Sequence, residues 1–213
     1  MALTLLLSML LVGQVHGAPL VPQIENAIAP EIPLEADGGG VVVVELSVDA
    51  NGSVRGVKAL RTTPPYEGEV LKAVSRWTFK PPSGGEDPAP VLVATVFRPA
   101  SFPDAAMAPA TDLGRASANV PFPVKTVIPP YPANGVRSQT VILQANVDKF
   151  GRVSGATGVS GESPFLDVAE QTLEEWSFRP ARTDGIPHRS VAYVVFAFRE
   201  PVLGSGPAPA GKP

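Results

Sequence analysis

WSFRP, residues Trp176 to Pro180, decides the reading of this chain, because the only other tryptophan opens WTFKP, Trp77 to Pro81. Trp77 and Trp176 lie 99 positions apart, and the same shift carries Pro30 and Pro33 onto Pro129 and Pro132. It also lays VELSVDANGSVRG, Val44 to Gly56, over LQANVDKFGRVSG, Leu143 to Gly155, so that Val48, Asp49, Gly52, Val54 and Gly56 meet identical residues. Agreement over such a span without a net gap marks an internal duplication.

Each repeat spells out the same elements. Val141, Leu143, Ala145 and Val147 alternate with Gln144, Asn146 and Asp148, the period-two pattern of a strand with one apolar face. Asp148 to Gly151 then supplies turn chemistry before Val153 resumes an extended segment, and Asp49 to Gly52 does the same in the first repeat. Ser163 is placed to cap a helix that opens at Pro164. Leu166, Ala169, Leu173 and Trp176 follow on its inner stripe, with Asp167, Glu170, Gln171, Glu174 and Glu175 outside. In the first repeat Val70, Val74 and Trp77 point inward, and Glu69, Lys72 and Arg76 outward.

The tryptophan closes the inner stripe, the phenylalanine two residues on starts an extended exit, and proline stops the helix. The expected core is therefore Trp77, Phe79, Leu166, Ala169, Leu173, Trp176 and Phe178. Each buried Trp or Phe contributes on the order of a few kcal/mol. Final strands are expected at Pro90 to Phe97 and Ser190 to Arg199. The fold class is α+β: two small tandem domains of roughly 65 to 75 residues, each a short antiparallel sheet packed on one helix in the order β-β-α-β.

Twenty-five prolines and twenty glycines crowd into three stretches outside these elements. The expected division is an export signal at 1–17, a linker at 18–29, a first domain at 30–99, a Pro/Ala-rich linker at 100–123, a second domain at 124–200 and a disordered tail at 201–213. MALTLLLSMLLVGQVHGAP carries an apolar run from Ala2 to Gly13 and then small residues suited to cleavage after Gly17, although no Lys or Arg precedes the run. The run is about half the length that spans a bilayer.

Several function classes find no residues here. A net charge of −3 and the lack of a basic stripe argue against nucleic acid. With no cysteine there is no disulfide, thiolate zinc site or cysteine nucleophile. Of two histidines, His16 lies in the leader, which leaves His188 as the single candidate imidazole. Gly38 to Gly40 precede a strand instead of opening a helix, the wrong context for a phosphate cradle. Asp49 and Asp148 read as hairpin residues in separate repeats, and Glu170, Glu174 and Glu175 as a solvated acidic face. No catalytic residue, metal ligand or cofactor is expected, and the chain reads as non-enzymatic.

Pro130-Tyr131-Pro132, Asp148-x-x-Gly151-x-Val153, Leu166-Asp167-x-Ala169, Trp176-x-Phe178-x-Pro180-Ala181 and Gly185-Ile186-Pro187 together resemble the TonB C-terminal domain family. The resemblance covers Pro129 to about Arg199. The first repeat is similar but divergent: it keeps Val-Asp-x-x-Gly-x-Val and Trp-x-Phe-x-Pro, but has Ile32-Pro33 for Tyr-Pro and lacks the Leu-Asp-x-Ala helix start.

The resemblance implies a periplasmic protein-binding module that receives an extended segment of an outer-membrane transporter on an open strand edge. The matching contact positions are Pro130, Tyr131, Pro132 and Ala133, with Val191, Tyr193, Val194, Val195, Phe196 and Phe198 of the last strand. Two alternatives stand beside it. A retained N-terminal anchor would make the chain an energy transducer, and pairing of the same edge strands would make it a self-associating module. The glycines of SGATGVSG, Ser154 to Gly161, are expected to pack poorly.

Overall fold

Val41 to Val44, Val91 to Phe97 and Ala192 to Phe198 hold almost no polar residue, the pattern of strands covered on both faces. The computed structural model, which describes residues 21–34, 36, 38–81, 89–99 and 111–201, places these three segments in the middle of one sheet. The expected export signal and all but Pro201 of the expected tail lie outside the described residues.

The first repeat contains β1 (Ile24–Asn26), β2 (Gly40–Val48), β3 (Val54–Thr62), α1 (Glu67–Val74), β4 (Thr78–Phe79) and β5 (Val91–Phe97). A bridging stretch forms β6 (Thr111–Asp112). The second repeat follows with β7 (Phe122–Lys125), β8 (Gln139–Val147), β9 (Val153–Ser160), α2 (Phe165–Glu174), β10 (Ser177–Arg179), β11 (Arg182–Thr183), β12 (Ile186–Pro187) and β13 (Ser190–Phe198).

Seven strands join in the order β6-β3-β2-β5-β13-β8-β9. The repeats meet at β5 and β13, which run parallel from Ala192 opposite Leu92 to Ala197 opposite Phe97, while the other neighbours are antiparallel. A separate sheet in each repeat, as the sequence suggests, is therefore not what forms. The reason is that SVAYVVFAF is apolar on both faces, and only a strand flanked on both sides within a covered sheet buries both.

Parallel pairing turns one repeat over relative to the other. Val44, Trp77 and Phe79 join α1 residues Val70 and Val74 in one core layer. Their counterparts Leu143, Trp176 and Phe178 join Ala169 and Leu173 of α2 in the layer on the opposite face. The two repeats thus relate by a rotation about an axis along the strands, and the central strands contribute to both layers: Val194 and Phe196 to one, Tyr193 and Val195 to the other.

Both expected linkers carry structure. β1 pairs with β4, Ile24 opposite Phe79, and β7 pairs with β10, Pro123 opposite Phe178, again one repeat length apart. Thr111 and Asp112 pair with Thr62 and Arg61, and Leu113 N donates to Leu60 O at 2.8 Å. Glu45 is buried on β2, so its carboxylate requires donors; Ser117 supplies its N–H at 2.7 Å and its hydroxyl at 2.5 Å. That demand fixes residues 111–120 against the sheet.

The hairpin turns behave alike. Gly52 and Gly151 have φ of 83° and 84°, and a Cβ on either would fall 1.8 Å from the carbonyl oxygen of Phe79 or Phe178. Only glycine fits where the exit strand crosses the turn. At α2 the start differs from expectation: Ser163 does not cap, its hydroxyl donating to Asp167 Oδ1 at 2.7 Å, and the helix begins at Phe165. Phe165 is buried, whereas Leu166 is half-buried over β9. Gly158 leaves room for that leucine, since its Cβ would come within 2.8 Å of Leu166 Cδ2. The glycine-rich segment thus forms a strand, with register shifts near both of its ends.

Candidate interaction surfaces

The last strand offers no edge. From Ser190 to Phe198, β13 pairs with β8 on one side, and from Ala192 to Ala197 with β5 on the other. Tyr193, Val194, Val195, Phe196 and Phe198 are buried and Val191 half-buried, so the expected peptide contacts on this strand are core positions. Tyr193 shows what occupies its surroundings: its hydroxyl donates to Pro22 O at 2.9 Å and accepts from Ile24 N at 3.2 Å. Burial pushes its phenol above the ordinary value, partly offset by the Ile24 bond.

Pro130, Tyr131, Pro132 and Ala133 form a loop beside α2. Tyr131 is half-buried, meets Phe165 edge-on at 5.5 Å between centroids, and donates to Arg137 O at 2.9 Å. Pro132 is buried, and Pro130 and Ala133 are exposed. The structure separates this loop from the surface expected on β13, because that strand lies beneath Phe165, which packs edge-on against Phe198 at 5.1 Å.

The free edges are elsewhere. Among the described residues β9 pairs with β8 alone, so its other side is an outer edge of the sheet they form. Its sequence, VSGATGVS, contains no charge and no proline, and from Thr157 to Ser160 it is exposed. β3, at the other end, is covered among the described residues by β6 at Arg61 and Thr62, and carries Arg55, Lys58 and Arg61, charges that discourage strand addition. Sequence reasoning passed over β9 because its glycines suggested a weak strand. The missed signal was the lack of any charge or proline along it.

The candidate catalytic groups are engaged locally. His188 Nδ1–H donates to Arg189 O at 2.8 Å, and Nε2 shares a hydrogen bond with the Thr183 hydroxyl at 3.1 Å. Asp49 accepts the N–H groups of Ser53 and Asn51, both at 2.9 Å, and Asp148 those of Arg152 at 2.9 Å and Phe150 at 2.8 Å. Among the described residues no three metal-ligating side chains cluster. No helix there is long and apolar enough to cross a membrane.

The described residues thus form a mixed sheet bearing one helix per repeat, with one uncharged strand edge. Residues 30–99 match the family model of the Gram-negative bacterial TonB protein C-terminal. The match lies on the first repeat, which the sequence motifs had marked as the more divergent. No curated protein and no solved structure matches the chain. Proteins of this family act in the cell envelope through non-enzymatic protein contacts.

Proposed function

We propose that the chain is a non-enzymatic envelope protein whose two TonB-type repeats form one sheet, and that the outer edge of β9 takes up an extended segment of a protein partner by β-augmentation. The observation that carries this reading is the uncharged, proline-free β9 edge, eight residues long and paired on one side only. Such an edge presents unpaired N–H and C=O groups, and proteins usually blunt it with charge. The family points to an outer-membrane transport protein as the partner and to the periplasm, reached through an export signal, as the compartment.

The test is a titration of the full chain with peptides from the periplasmic N-termini of outer-membrane transporters, read by amide hydrogen exchange. Slowed exchange confined to β9 is expected, together with loss of binding when alternate peptide nitrogens are methylated. Equal binding by the methylated peptide, or unchanged β9 exchange under saturation, rejects the site.

Pairing of β5 with β13 shows that these repeats can meet edge to edge, which favours a second reading in which β9 pairs with β9 of another copy. Concentration-dependent mass, abolished by Thr157→Lys, would select it.

A further inference from the structure

At the β6 end of the sheet, a cleft of about 470 Å³ opens between residues 112–118 and the β7·β10 pair. Gly114, Ala116, Ala118 and Phe122 give it small and apolar walls, and Arg115 and Arg179 bring guanidinium groups to it. The volume is in the range of small-molecule sites, and apolar walls with a few fixed polar groups are their usual composition.

The charges around it are unbalanced in a chain whose net charge is −3. Asp112 lines the cleft but is paired with Arg61 Nε at 2.7 Å, and the Arg61 guanidinium stands 5.5 Å from the Phe122 ring centre. Glu45, the other nearby carboxylate, is taken by Ser117. Lys58 Nζ donates to Arg115 O at 2.9 Å, and the exposed Arg115 side chain makes no ion pair among the described residues. Arg179 is held in place by the carbonyls of Ser117 at 3.2 Å and Val120 at 3.3 Å. Burial first, and then Arg182, disfavour its charge, with Glu45 opposing them. An incoming anion would offset both by its opposite charge.

We infer that this cleft binds a carboxylate carried on an apolar body, the carboxylate between Arg115 and Arg179 and the body against Phe122 and the alanines. The site is at the opposite end of the sheet from β9, so it stands or falls independently of strand addition there. The carboxylate has two sources, a free organic acid or an acidic side chain beside an aromatic one in a polypeptide.

The test is an amide-resolved NMR titration of the full chain with phenylacetate, and with uncharged phenylacetamide as control. Saturable shifts at Gly114, Ala116, Ala118 and Phe122 are expected, with the amide at least tenfold weaker and Arg115→Glu weakening phenylacetate at least tenfold. A capped peptide containing one Glu-Phe pair that displaces phenylacetate assigns a polypeptide source; failure to displace it assigns a free acid, and either result upholds the site. Equal affinity for acid and amide, or no saturable shift at these residues, overturns it.

Discussion

The indole Nε1–H of Trp77 donates to the carbonyl oxygen of Ile28 across 2.8 Å, and Trp176 repeats the bond to Val127 at 3.0 Å, each reaching back 49 residues. The scarce tryptophan is therefore more than apolar filler. It ties the end of each helical turn to the segment leading into its repeat, and its donor is satisfied as a buried indole requires. Trp77→Phe and Trp176→Phe should each cost about 2 kcal/mol, for the lost bond, the carbonyl left without it and the smaller ring. A lower urea midpoint at unchanged slope is the expected signature. Loss well below 1 kcal/mol would mean that the lead-in segments are held by β1 and β7 alone.

Much of this was legible because it is local. Period-two alternation in β8, glycine at positive φ in each hairpin and the tryptophan register are all written in short stretches. The sheet topology depends on the two faces of β5 and β13 together, and treating SVAYVVFAF as an edge ignored that a partner-binding edge seldom lacks polar residues on its outer face. Residues 111–120 show no periodicity, since what holds them is a short pairing with β3 and one buried acid, Glu45, whose need arises only after β2 is enclosed. Phe165 was missed because the stripe was read from Leu166, whereas the residues buried on α2 are Phe165, Ala169, Thr172 and Leu173.

The Thr95 hydroxyl is fully buried and has no hydrogen-bond partner among the described residues. In the second repeat the position matched to it by strand register is Phe196, an apolar residue. Thr95→Val keeps the shape and removes an unsatisfied group, so it should stabilise the chain by about 1 kcal/mol. A higher melting temperature is expected; a lower one would indicate that an ordered water serves this oxygen.

Asp49 and Asp148 sit in corresponding turns, and their carboxyls are held below the ordinary range by backbone N–H bonds, from Ser53 foremost in one and from Arg152 in the other. A depressed folded-state pKa adds stability above the unfolded value of about 4, and that contribution is lost as pH falls through the folded value. Asp49→Asn with Asp148→Asn removes the titration and keeps an oxygen acceptor. The fall in melting temperature between about pH 5 and pH 2 should flatten in the double variant. An unchanged acid limb would assign acid sensitivity to other carboxylates.

The junction between β5 and β13 determines whether either repeat stands alone. In the whole chain β13 gives Tyr193, Val195 and Ala197 to the core layer it shares with α1 and β2, and Ile142 of β8 lies there too. Removing residues 1–119 would bare that apolar face and open the β13 edge over six paired positions, from Ala192 to Ala197. A fragment of residues 120–201 should therefore either fail to fold or pair with a second copy through β13, replacing the lost β5 with another β13. Sedimentation should show mass rising with concentration, while the full chain unfolds in one cooperative transition because its two layers share their central strands. A well-folded fragment that stays monomeric at high concentration would show that the second repeat is self-sufficient, and would return the β13 edge to the set of surfaces a partner strand can use.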